Sequence, residues 1–331
     1  MTGLALSLAQ DLAYRLRGHW RRSLSEPLWG RSALIALPRV LPGEGEARLP
    51  HRAPWCLGPE RFERLLLTLS ELSRLVCLDT ALKPHHDPQA CISLTFDGGW
   101  RDTLDVAAPL LEHYAIPASI FINTGWLHRP HGAWRETLGE GLWQRQHPTR
   151  IRDALGDAGL PLPPMPPKHP DTAYSRALLG YLLELAQHDP CTLEAIGDAL
   201  HGELGQPRQG LDAFSVRRLE RDGLIRFGAR GVGMRALETQ DDDAIRWQVR
   251  HSRQALARLC REPLAAFAYP DSQPSPRVQQ LVNRCGVSLA LAGQGGWLGR
   301  HDNPLALPRI AVNQHLAGSP GRLFDHLLGQ L

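Results

Sequence analysis

Residues 91–125 read CISLTFDGGWRDTLDVAAPLLEHYAIPASIFINTG. Cys91 to Phe96 is a short apolar run rich in β-branched residues, which reads as a buried strand. Asp97 stands at its C-terminal end, before Gly98-Gly99. Asp102 or Thr103 can then cap a helix whose apolar face is Leu104, Ala107, Ala108, Leu111 and Tyr114. Ile116-Pro117 breaks that helix, and Ala118 to Ile122 is a second apolar strand. Strand, loop, helix and strand in this order make the repeat of an α/β fold with parallel strands. In such folds side chains at the C-terminal ends of strands carry the chemistry.

The same residues carry a resemblance. TFDGGWRDTLDVAAPLLEHYAIPASIFINTG resembles the first motif of the polysaccharide deacetylases with a NodB homology domain, carbohydrate esterase family 4. The family reads Thr-Phe-Asp-Asp-Gly there. Its first aspartate is the general base and its second a metal ligand. Asp97 matches the base, and Gly98 stands where the metal-binding aspartate belongs.

Working outward, 331 residues with 43% hydrophobic content are enough for a sizeable core, as one large α/β domain or two smaller ones. A net charge of +3 with only local arginine clusters gives no concentrated basic face, so nucleic acid is not an expected partner. The six cysteines are dispersed and form no CxxC, which reads as buried free thiols. No run of about 18 apolar residues predicts a membrane span. The N-terminus lacks the pattern of a signal peptide, so a cytoplasmic protein is expected. Residues 4–22 form an amphipathic stretch with Arg15, Arg17, Arg21 and Arg22, which reads as a docking helix, the alternative being peripheral contact with the inner membrane.

Residues 33–42 read as the first barrel strand and its exit. The family often has Tyr-His-Arg-Val there, and this chain keeps only the Arg39-Val40 half. Gly58-Pro59 opens a helix with Phe62, Leu65, Leu66, Leu69 and Leu72 on one face. Val76 to Leu78 reads as a strand, with a short helix over Asp79 to Leu82. His85-His86 fall in a polar loop. From about 128 to 212 the chain departs from the family pattern into a helical insertion. It has an extended Pro161–Pro170 connector, then helices over Tyr174–Gln187 and Thr192–Leu204.

The helix Ser215–Arg221 and the strand at Ile225–Gly228 match the approach to the family's histidine motif. Arg230 and Met234 occupy the two histidine positions, and no two of the 15 histidines stand four apart. The acidic run Asp241-Asp242-Asp243 reads as N-terminal charge on a helix, Ala244–Cys260. Ala265–Pro270 resembles the Phe-Ala-Tyr-Pro strand that lines the family's substrate groove. Helix Pro276–Cys285, strand Val287–Leu291 and the closing segment Leu305–Ile310 follow.

The resemblance implies a distorted (β/α) barrel of the NodB-homology type. The segments are 1–32 (N-terminal and helical), 33–315 (the domain, with its insertion) and 316–331 (a C-terminal helix). It also implies descent from a carbohydrate N-deacetylase, a hydrolase of carbon–nitrogen bonds other than peptide bonds. In that chemistry a divalent ion, usually zinc, polarises the acetyl carbonyl and activates water while the aspartate takes a proton. Here all three aligned ligands are replaced, so no metal is expected unless loop residues such as His85, His86, His128 or His131 rebuild a site. Asp97 is the candidate base; Trp100, Arg230, Tyr269 and Asp271 are the candidate substrate contacts. Arg230 can pair with Asp97 and make it a poorer base, or can grip an anionic group. The main expectation is a metal-free member that binds carbohydrate, an N-acetylated sugar or an anionic glycan, or a polysaccharide-assembly protein. The alternative is an active hydrolase with Asp97 as base.

Overall fold

The computed structural model describes residues 26–84, 88–128, 132–270 and 273–331. Its centre is strand β5, Ala90–Gly98, in which Asp97 is the one residue not buried. A strand apolar on both faces belongs inside a parallel sheet. Strand β1 (Ser32–Leu37) runs parallel along one edge, with Leu37 opposite Phe96, and the short strands β2 (Arg39–Val40) and β3 (Cys56–Leu57) that follow it pair with each other outside this sheet. The other edge is shared by β4 (Ser73–Leu75) below and β6 (Ala118–Ile122) above, with Asp97 opposite Phe121. Strands β7 (Ile225–Ala229), β8 (Ala266–Ala268) and β9 (Leu289–Leu291) extend the sheet, again parallel. Strand β10 (Ile310–Ala311) pairs with β1 at the far edge.

One segment joins both ends of this curled sheet. Leu307 bridges to Leu291 of β9, and Ile310 three residues later faces Ile35 of β1. The result is the expected NodB-type (β/α) barrel. Its interior is a small apolar cluster that includes Leu34, Cys91, Phe121, Ala268, Leu291 and Leu307. Gly228 makes room there, since a Cβ at that position would lie 2.4 Å from the Phe121 ring.

The larger cluster lies between the sheet and its surrounding helices. Helix α1 (Pro59–Leu72) buries Phe62, Leu65, Leu66, Leu69 and Leu72, as its periodicity predicts. The strand expected at Val76–Leu78 lies instead at Ser73–Leu75, and a single helical turn occupies Leu78–Ala81. The chain enters the sheet directly from α1, with Ser73 Oγ donating 2.8 Å to the Leu69 carbonyl. The helix after β5 buries Leu104, Ala107, Ala108 and Leu111. It opens on a wide π-helical turn, Thr103–Ala107, and becomes α-helical as α2, Ala108–His113. Neither Asp102 nor Thr103 caps it, because the Asp102 carboxylate is engaged by Arg39.

The insertion is a bundle of four helices: α3 (Trp134–Trp143), α4 (Pro148–Asp157), α5 (Thr172–Leu185) and α6 (Pro190–Glu203). They share their own apolar cluster, built on Leu138, Leu142, Ile151, Leu178 and Leu182. Asp171 caps α5, and Asp189 caps α6 by accepting from Thr192 N, so α6 begins two residues before the expected Thr192. The extended connector is tied down by the Tyr181 and Tyr174 hydroxyls, which donate to the Pro161 and Pro164 carbonyls. Helices α7 (Ala213–Glu220), α8 (Asp242–Leu259), α9 (Pro276–Arg284) and α10 (Pro320–Gly329) complete the barrel. Asp241 caps α8, so the acidic run is helix-terminal as its position predicts. Residues 1–25, with the amphipathic stretch, lie outside the described residues.

The loop after β1 is clamped to the insertion. Arg52 pairs with Glu46 of its own loop and with Glu140 of α3. His51 is 3% exposed, and its Nδ1 lies 2.8 Å from Ser175 Oγ of α5. Burial, with the charge of Arg52, pushes the His51 imidazole down to about 4 from its ordinary value of 6.5. The unfolded chain therefore binds a proton that the folded chain refuses between those two values. Stability is full above about pH 6.5 and declines towards pH 4, by on the order of 3 kcal/mol. Thermal melts across this range check this: the wild type should lose stability more steeply than His51→Gln, and equal slopes would count against it.

Candidate active site

The C-terminal ends of the parallel strands converge on Asp97. Arg230 follows β7, Pro270 follows β8, Ala292 follows β9, and Arg309 immediately precedes β10. Arg309 is 1% exposed, the largest fully buried side chain among the described residues. Its Nη1 and Nη2 donate to Asp97 Oδ1 and Oδ2 at 2.9 and 2.8 Å, a bidentate pair. Its Nε donates to the Ala292 carbonyl at 2.6 Å, and Nη1 also reaches Thr95 Oγ1 at 3.2 Å.

Arg230 flanks the same carboxylate, with Nε 3.7 Å from Asp97 Oδ2. Its Nη1 and Nη2 donate to Asn123 Oδ1 at 3.3 Å and the Pro270 carbonyl at 3.1 Å. Burial would raise the Asp97 carboxyl above its ordinary value. The two guanidiniums, Arg309 foremost, outweigh burial and hold it below that value. A carboxylate so stabilised as an anion is a weak proton acceptor.

A second ion cluster stands beside the first. Arg39 pairs with Asp102 and, at 2.7 Å, with Glu136 of α3. Burial works against its charge, but Glu136 and Asp102 outweigh burial and raise its pKa. Its guanidinium lies 4.3 Å over the Trp100 ring, and Trp100 meets Trp126 edge to face at 5.0 Å. Arg39 thereby links the barrel to the insertion, and a cleft of about 1450 Å³ opens between them. Asp97, Trp100, Arg230 and Met234 line it, with Trp55, Trp126 and Trp134.

Two candidate contacts fall differently. Tyr269 is 1% exposed, donates its hydroxyl to the Leu305 carbonyl at 2.8 Å, and packs against Phe267. It is a core residue holding the closing segment, and its neighbour Pro270 lines the cleft instead. Asp271 lies outside the described residues, as do His85, His86 and His131; His128 lines the cleft. Arg309 and Arg39 stood within quoted motifs without a role. Their signal was an arginine beside an apolar strand, which must find a carboxylate to be buried.

The donor set at Asp97 does not fit a divalent ion. The aligned positions supply no side chain at Gly98, a guanidinium engaged with the carboxylate at Arg230, and a thioether at Met234. Two cationic groups border the only aligned carboxylate. Among the described residues no three His, Cys, Asp or Glu side chains converge.

The fold is a curled parallel barrel with an aspartate at the C-terminal end of its central strand. Residues 85–156 match the family model described as Polysaccharide deacetylase. The fold is shared with the Streptococcus pyogenes deacetylase PplD, solved with acetate, at 16% identity and a TM-score of 0.58 over 90% of this chain and 99% of that one. IcaB from Ammonifex degensii aligns at 13% identity and a TM-score of 0.57, over 91% and 98% of the two chains. A de-N-acetylase from Aggregatibacter actinomycetemcomitans aligns at 13% and 0.55, over 86% and 95%. No curated protein matches the sequence significantly. Residues 85–156 carry the likeness to that family, and the fold as a whole is shared with these solved deacetylases.

Gly98 is fitted to its place. Its φ is +93°, and a Cβ there would lie 3.0 Å from Trp100 Nε1. Gly98→Asp, which reinstates the family residue, should cost about 1–3 kcal/mol in urea unfolding because it forces a side chain into a sparsely allowed backbone region. A variant as stable as the wild type would show that the backbone turn relaxes freely.

Proposed function

We propose that this protein binds carbohydrate in the cleft between barrel and insertion and has given up the metal-assisted hydrolysis of its family. The observation that carries the reading is the bidentate Arg309–Asp97 pair flanked by Arg230. It occupies the aspartate as a structural anion, while the residues aligned with the metal ligands offer a cation no lone pairs suited to it. The cleft supports binding. Its partly buried tryptophans Trp55, Trp100 and Trp134 offer apolar surface for the C–H groups of sugar rings, and the polar groups among them fix orientation.

The rival reading keeps hydrolysis of an N-acetyl C–N bond with Asp97 as base. That reading requires Asp97 to release Arg309 and accept a proton from water, against the two charges that favour its anion. Elemental analysis of the purified chain, beside Asp97→Ala, separates the two when combined with acetate release from N-acetylglucosamine oligomers. The expected result is substoichiometric zinc in both proteins and no acetate above the no-protein control. Stoichiometric zinc and acetate release in the wild type, both lost in Asp97→Ala, would establish the hydrolase instead.

A further inference from the structure

The cleft is crowded with arginines, and their partners sort them. Arg39 is matched by Asp102 and Glu136, Arg52 by Glu46 and Glu140, and Arg230 by Asp97, while Arg235 donates to Thr239 Oγ1 and the Thr239 carbonyl. Arg135, which also lines the cleft, differs. Its guanidinium carbon lies 4.3 Å over the Trp55 ring and 5.1 Å over the Trp134 ring. It forms no ion pair or hydrogen bond with any described residue, and its neighbour Glu136 is turned to Arg39.

From this arrangement we infer that Arg135, framed by Trp55 and Trp134, is a binding subsite for the carboxylate of an acidic sugar residue.

Three physical points support the assignment. A guanidinium stacked on aromatic rings keeps its N–H edge available, and that fork matches a carboxylate in a bidentate way. Burial without a counter-charge pulls the Arg135 pKa below its ordinary value, and an arriving anion would relieve that cost. Arg135 also sits in the first turn of α3, which Ala133 enters without a side-chain cap, so the positive end of the helix adds to its charge. The two tryptophans favour a sugar as the carrier of the anion, since a pyranose ring can stack beside the charge it bears. Arg230, the anion-binding candidate of the sequence, is spent on Asp97, Asn123 and Pro270.

This inference rests on the carbohydrate-binding reading, and one experiment separates the two. The full-length chain is titrated calorimetrically with an oligogalacturonate, with its methyl ester and with a neutral N-acetylglucosamine oligomer. Arg135→Met and Arg135→Lys are titrated in parallel. Methionine keeps an unbranched side chain between the tryptophans without the charge. The oligogalacturonate should bind the wild type at least tenfold more tightly than its ester and weaken as salt is raised. Arg135→Met should remove that preference, and Arg135→Lys should restore it in part. Equal affinity of acid and ester for the wild type, or a preference that survives in Arg135→Met, overturns the subsite and leaves carbohydrate binding standing. Failure of all three oligomers to bind the wild type overturns both.

Discussion

An arginine that is 1% exposed survives inside a parallel barrel only beside a carboxylate, and here that carboxylate is Asp97. The pair sits where the sheet closes. Arg309 belongs to the segment that bridges β9 through Leu307 and joins β1 through Ile310. Its side chain reaches the end of β9 at Ala292 and the end of β5 at Thr95 and Asp97. The residue that the family pattern marks as a base is therefore part of the barrel's closure. Its position at a strand end comes from the fold, and its use is set by what surrounds it.

Ion pairing extends outward through the cleft. Asp102, which could have capped a helix, holds Arg39, and that helix begins on a wide π-turn instead. Glu136 and Glu140 reach from α3 to arginines of the barrel loops. The insertion is thus attached by ion pairs and by His51 on Ser175, while its own apolar cluster stays separate from that of the barrel. Such an attachment leaves a cleft between two rigid walls rather than a continuous core. Aromatic rings line that cleft together with the guanidinium of Arg135, which has no ion-pair partner among the described residues.

Much of the barrel was legible because its signals are local. The run Cys91–Phe96, the Ile116-Pro117 break and the Leu-rich face of α1 each depend on a few neighbouring residues. The replacement of metal ligands at Gly98, Arg230 and Met234 was equally local, read against a motif. Partnerships across 212 residues were not legible, and nothing local to the closing segment Leu305–Ile310 marks the carboxylate that Arg309 meets. Tyr269 was read as a groove residue because its strand lines the groove, but alternation along the strand turns its ring into the core. Helices α3 and α4 were missed as separate elements because Gly139 and Gly141 weaken the pattern of α3 and the short α4 buries only Ile151 and Leu155. Asp189, not Thr192, starts α6, since an aspartate before proline caps as well as a threonine does.

Asp97 serves the barrel as the partner of Arg309. A double-mutant cycle in urea unfolding, with Asp97→Leu, Arg309→Met and the two combined, tests it directly. Asp97→Leu leaves the buried Arg309 charge without its carboxylate and should cost about 3–5 kcal/mol, Arg309→Met leaves Asp97 with Arg230 alone and should cost less, and the double change, which removes both, should cost much less than their sum. Single costs that simply add, or an Asp97→Leu protein as stable as the wild type, would show that the aspartate is free of the structure and available for chemistry.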